Sequence, residues 1–134
     1  MCYLGGDRRK FQRLKVNLSV RFRLDEHFQV SSIPWDRDID AQALDLSEEG
    51  MAIATRYDIP LYCVIILKFL IFKLDRKGVV TYSEPIEING QVRSNITLND
   101  KERRLGVYFK GIDSSARSKI QDYILSAPRH GNPA

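Results

Sequence analysis

The chain has 134 residues, 43% of them hydrophobic and 28% charged, which suits one soluble folded domain and excludes both a two-domain protein and global disorder. Twenty-one Lys and Arg against 17 Asp and Glu give a net charge of +4, and the charges are unevenly spread. Residues 1–23 hold seven basic side chains and one acidic, whereas residues 36–49 hold six acidic and one basic, so the N-terminal part is the one suited to meet an anion. Cys2 and Cys63 form neither a disulfide framework nor a metal-ligand spacing, and a reducing cytoplasm is the expected compartment. The most apolar run, Tyr62 to Phe72, is interrupted by Lys68 and falls well short of the ~20 residues a membrane helix needs, so no membrane insertion is expected.

Taken in order, residues 1–7 form a lead containing Gly5 and Gly6, and a basic cluster follows at Arg8-Arg9-Lys10-Phe11-Gln12-Arg13. Val16, Leu18, Val20, Phe22 and Leu24 then alternate with polar residues, which predicts a half-buried strand. Asp25 to Asp38 has no sustained period and reads as a long connection that folds back through Phe28, Ile33 and Trp35, with Trp35 expected to anchor it or cap the core. Strands are predicted at about Ile39 to Leu44 and Met51 to Thr55, joined by a turn at Asp45-Leu46-Ser47-Glu48-Glu49-Gly50. Tyr62 to Leu74 reads as a long strand apolar on both faces. Its surplus face implies a homodimer or partner contact through residues 64–72, or burial beneath a terminal helix. Val79 to Tyr82 extends a hairpin, Ile86 to Val92 alternates as a fifth strand, Asn95 to Arg103 reads as a polar loop, and Leu105, Val107 and Phe109 mark a sixth strand. The period changes at 113–125, where Ala116, Ile120, Tyr123 and Ile124 share one helical stripe after the cap residues Asp113 and Ser114. Residues 126–134 are a tail. The pattern predicts a small antiparallel β-barrel with one helix across an open end.

No catalytic or metal constellation accompanies these elements. His27 and His130 are isolated, there is no phosphate-binding glycine loop, and Glu48 and Glu49 sit in a turn with no neighbour in sequence to set their pKa values apart. The chain therefore reads as a non-enzyme, without cofactor or metal. The arginine cluster has two readings. One is a solvated basic arm, with weak nucleic-acid attraction. The other uses the planar guanidinium fork, which grips phosphate or the O6/N7 edge of guanine bidentately. An Asp facing such arginines would accept from the N1–H and N2–H donors of guanine, and the two together select guanine.

Arg9 to Arg13, a following strand, and Asp45-x-Ser47-x-x-Gly50 resemble the RxxxR and (D/N)xSxxG motifs of PilZ domains, bacterial receptors for cyclic di-GMP. The resemblance runs on through Gly106-Val107-Tyr108-Phe109 to the closing helix and covers about residues 8–125. It implies an all-β fold, a six-stranded antiparallel β-barrel with a C-terminal α-helix, and a segment 8–15 that acts as an arginine switch loop. It also implies a cyclic di-GMP site formed by Arg8, Arg9, Arg13, Asp45, Ser47 and Gly50, with Arg9 and Arg13 on guanine and phosphate and Ser47 on phosphate or ribose. Arg8, before the motif, implies an intercalated ligand pair. With only seven residues before Arg8, a stand-alone member is expected, signalling through an unidentified protein partner. A single-stranded nucleic acid binder, or a ligand-free protein-interaction module, is the competing reading, and the acidic stretch Asp36 to Glu49 argues against nucleic acid.

Overall fold

The computed structural model describes residues 13–126, apart from the side chains of residues 73, 74, 81, 82 and 126. Arg8, Arg9, the lead 1–7 and most of the tail 126–134 therefore lie outside the described residues. Six strands, β1 (Leu14–Leu24), β2 (Ile39–Leu46), β3 (Gly50–Thr55), β4 (Val64–Leu74), β5 (Val80–Thr97) and β6 (Arg103–Lys110), precede one helix, α1 (Ser114–Ser126). The strands close into a barrel in the order β1-β2-β3-β6-β5-β4, with every pairing antiparallel. The six-stranded antiparallel barrel with a terminal helix agrees with the sequence pattern.

Alternation fills the interior. Val20, Phe22, Leu24, Ile53, Ile65, Leu67, Val92 and Leu105 are fully buried, so the barrel is a packed core with no central channel. At β4 the inward residues Ile65, Leu67, Phe69 and Ile71 are buried, while the outward Leu70 and Phe72 stay 45% and 39% exposed. The helix therefore does not cover them. It inserts Ile120 and Ile124 into the core, with β4 as its principal neighbour, and Lys119 pairs with Glu84 at 2.6 Å. The Asp113 carboxylate accepts from Ala116 N at 2.7 Å and caps its first turn.

Boundaries shift in three places. β2 runs through Asp45 and Leu46, so the turn shrinks to residues 47–49 and Asp45 sits on a strand. The two segments expected on either side of residue 85 fuse into one 18-residue strand. Pro85 pairs with Leu70, but β6 joins β5 only from Asn89 onward, so this proline lies where β5 has one neighbour, a position where the missing N–H is tolerated. The predicted polar loop also contracts. β5 continues to Thr97 because Asn95, on the strand, is engaged by Arg103 Nε at 2.6 Å and itself donates to Asp58 and Ile59.

The long connection leaves the end of β1 and closes the barrel mouth opposite the one from which β6 leads into α1. Asp25 N donates to the carbonyl of Val64, a short 3₁₀ turn covers Glu26–Phe28, and Ile33 is buried with Phe28 and Val30 packed half-buried beside it. Ile33 is the anchor; Trp35, expected in that role, is 69% exposed. The connection is fastened back to the barrel by Asp38, which accepts from Arg23 Nε at 2.9 Å and Lys68 Nζ at 3.3 Å. These cations, Arg23 foremost, hold the Asp38 carboxyl below its ordinary value.

Two outcomes follow from this mouth. Ile33→Ala should cost about 2–5 kcal/mol in denaturant unfolding, since truncation leaves a cavity under the connection. Asp38→Asn should cost less than about 1 kcal/mol near neutral pH, as its partners are partly solvated. A carboxyl with a depressed folded pKa stabilises above its unfolded value and loses that contribution as pH falls through the folded one. The gap between the wild type and Asp38→Asn should therefore be complete at pH 7 and close on acidification below about 4.

Candidate functional site

The site is built on the outer wall of the barrel. Register places Lys15, Asp45, Ala52, Gly106 and Ser94 in one row across β1, β2, β3, β6 and β5. At the usual strand spacing, the floor from Asp45 to Ser94 spans about 14 Å and carries nothing larger than a methyl or hydroxymethyl group between them. The next rows place Tyr108 beside Gly50 on one side, and Arg104 beside Ala54 on the other. The result is a groove of about 580 Å³, lined by Arg13, Lys15, Asp45, Gly50, Arg93, Arg104 and Tyr108 among others.

Asp45 organises it. One carboxylate oxygen, Oδ1, accepts from Arg13 Nη1 and from the backbone N of Ala52 at 3.1 Å; the other, Oδ2, accepts from Arg104 Nη2 at 3.0 Å. The residue is 8% exposed, so a buried carboxylate is here compensated by two guanidiniums and an amide. Four cations (Arg13, Lys15, Arg93, Arg104) against two anions (Asp45, Glu49) leave the groove with a net excess of two positive charges. At its far side the Arg93 guanidinium lies 4.8 Å from the centre of the Tyr108 ring, and Arg93 Nε donates to Gln91 Oε1 at 2.7 Å.

Of the residues picked out from the sequence, Arg13, Asp45 and Gly50 meet in this groove; Arg8 and Arg9 lie outside the described residues. Ser47 is adjacent but turned under the strand connection, 1% exposed. Its hydroxyl donates to Gly50 O at 3.3 Å and accepts from Glu49 N at 3.2 Å, and its own N–H donates to Gly50 O at 2.8 Å. Gly50 is required by the barrel, because a Cβ there would run into the carbonyl oxygen of Val107 on β6. Arg93, Arg104 and Tyr108 were not picked out from sequence. The available signal was their outward position in strands whose alternate residues, Val92, Leu105, Val107 and Phe109, are apolar.

A larger trough of about 1520 Å³ runs over the outer faces of β1, β2 and β4. It contains none of the motif residues, and its charges are matched locally, Lys68 with Asp38 and Arg21 facing Asp40 at 3.8 Å. The smaller groove is the candidate site, because the motif residues Arg13, Asp45 and Gly50 converge there with unbalanced positive charge. Among the described residues no group of three His, Cys, Asp or Glu is placed to hold a metal, and no helix is long and apolar enough to cross a membrane.

The sequence matches the PilZ domain family model over residues 7–126. The chain belongs to the PilZ domain family. No curated protein sequence matches it. Among solved structures, this PilZ domain is similar to the inhibitor of motility MotI/DgrA of Bacillus subtilis, with TM-score 0.66 and 15% identity over 88% of this chain and 50% of that one. It thus spans half the length of that protein. It is also similar to the PilZ domain of YcgR from Escherichia coli, solved with c-di-GMP, at TM-score 0.59 and 15% identity over 89% of this chain and 90% of that one. The K. pneumonia MrkH–c-di-GMP complex aligns at TM-score 0.56 and 17% identity, over 88% of this chain and 51% of that one. At these identities the likeness establishes the shared fold.

Gly50→Ala tests the structural role of the motif glycine. Its Cβ meets backbone on the neighbouring strand, so the substitution should cost about 1–3 kcal/mol of folding stability by denaturant titration, before any ligand is added.

Proposed function

We propose that this PilZ domain is a non-catalytic cytoplasmic receptor for cyclic di-GMP. The observation that carries the reading is the convergence of Arg13 and Asp45, from motifs 32 residues apart, on one carboxylate–guanidinium contact in a cationic groove floored by small residues. The chemistry fits the ligand. A carboxylate offers two acceptor oxygens to the N1–H and N2–H edge of guanine, and guanidiniums bind phosphate and the opposite base edge. The neighbours solved with c-di-GMP share the fold and support the assignment.

In this reading Arg9 and Arg13 close over the ligand as the switch loop 8–15 orders, and Arg8 intercalates with a second cyclic di-GMP molecule. Asp45 pairs with guanine. Ser47 serves by fixing the turn that sets Asp45 and Gly50, with its hydroxyl next to the ligand's phosphate or ribose. The ordered loop then changes the surface that a protein partner reads, with the exposed Leu70 and Phe72 on β4 offered to a second protomer or to that partner. Such a step shifts a population only by the difference in ligand affinity between the open and closed loop.

Isothermal titration with cyclic di-GMP, with GTP and a short single-stranded oligonucleotide as controls, tests the assignment. Selective binding of cyclic di-GMP is expected, and binding of the oligonucleotide in preference would reject it. Arg9→Ala should cost about 1–3 kcal/mol of affinity, the scale of one bidentate base contact. Asp45→Ala should cost at least as much, and a folded Asp45→Ala protein with unchanged affinity would remove Asp45 from the site.

A further inference from the structure

Asp45 is already nearly saturated. A carboxylate offers about four lone-pair positions, two on each oxygen. Arg13 and Ala52 N fill both on Oδ1, and Arg104 fills one of the two on Oδ2. Guanine needs one position on each oxygen, and Oδ1 has none to give. One of the two donors on Oδ1, Arg13 or Ala52 N, must therefore leave when the base arrives.

The three donors differ in how firmly they are held. Ala52 N belongs to the backbone of β3, and Arg104 lies within β6, paired with Ala54 on one side and Ile96 on the other. Arg13 stands one residue ahead of β1, outside the ladder. Arg13 is the donor that leaves. Its departure frees one position on Oδ1, while Ala52 N and Arg104 go on holding one oxygen each.

That pair of contacts has a consequence for selectivity. Rotation of an Asp carboxylate about its terminal bond is intrinsically loose, so its plane is set by what holds the oxygens. Two parallel donors are matched only by the lone pairs of Oδ1 and Oδ2 that point the same way, which requires Ala52 N and Arg104 to hold the outward lone pair of each oxygen and so set the carboxylate plane. Without Arg104 the plane is held from one oxygen only, and the remaining Arg13 is free to take both oxygens in the bidentate manner guanidiniums favour. A base with a single donor, such as hypoxanthine, needs one oxygen and is indifferent to the plane.

From this we infer that Arg104, a residue outside the sequence motifs, is the positioning residue for guanine specificity. It fixes the Asp45 carboxylate for two-donor recognition, while Arg13 acts as a latch that the base displaces. The inference rests on the cyclic di-GMP reading of the groove.

The experiment titrates the full chain and its Arg104→Met variant with cyclic di-GMP and with its inosine analogue, which lacks the exocyclic amino group. The wild type is expected to prefer cyclic di-GMP by roughly tenfold or more, the lower end of one specific base contact. In Arg104→Met that preference should shrink to about twofold to threefold, almost wholly through weaker cyclic di-GMP binding. Equal weakening toward both ligands would mean that Arg104 contributes only charge, and would overturn the inference, as would unchanged affinities. Wild-type protein that binds neither ligand would remove the receptor reading itself and the inference with it. Should Arg104→Met fail to fold by circular dichroism, Arg104→Gln, which keeps a polar side chain but loses the fork, is read by the same ratio.

Discussion

The Asp45 carboxylate is the contact on which the outer wall of this barrel turns. It accepts from the start of the described chain through Arg13, from the backbone of β3 through Ala52, and from β6 through Arg104. A single side chain thereby ties together three parts of the wall that are distant in sequence. A buried carboxylate costs free energy unless its oxygens are satisfied, so these partners are a condition for placing an acid there. The same condition makes the site responsive. A further donor aimed at Oδ1 would compete with a contact already made there.

Closure of the barrel explains why the site lies outside it. The interior is filled by Phe22, Leu67, Val92, Leu105 and their neighbours, and both mouths are covered, one by Ile33 and its connection, the other by the end of the chain that carries Ile120 and Ile124. A ligand is left with the wall. An open groove does not enclose a ligand as a cleft does, so what it offers for recognition is charge and hydrogen-bonding edges. The small residues Ala52, Gly106 and Ser94 keep the floor low enough for flat bases, and the arginines supply what enclosure does not. The packed interior and the open groove on the wall are consequences of one packing solution.

Much of this was legible in the sequence, for reasons that can be given residue by residue. Five alternating apolar positions from Val16 to Leu24 could only be a strand with one buried face, and the change of period after Asp113 could only be a helix. Asp45, Ser47 and Gly50 stood out because their spacing matches a known motif. The misreadings share a physical cause. Asn95 looked like loop because it is polar, yet it lies on the outward face of a strand, where polar residues belong, and its side chain is fully engaged. Of Phe28, Ile33 and Trp35, all expected to fold back, Ile33 is the one that is buried, while the larger Trp35 stays exposed. Ser47 is a different case: it sits beside the groove, and its hydroxyl holds the turn by donating to Gly50 O and accepting from Glu49 N.

Arg104 shows why a site cannot be read in full from one-dimensional spacing. It lies 59 residues from Asp45, and no local pattern marks it, since an outward Arg on a half-buried strand is what solvation alone would produce. Only the register of β3 between β2 and β6 brings the two together, by pairing Asp45 with Ala52 and Ala52 with Gly106. The motif positions carry groups the ligand is expected to touch, whereas Arg104 acts through a carboxylate already in place. Its contribution depends on the planar fork reaching one chosen oxygen, a constraint on geometry that composition does not record. Specificity here is divided between residues that a motif can name and residues that only the pairing of strands can find.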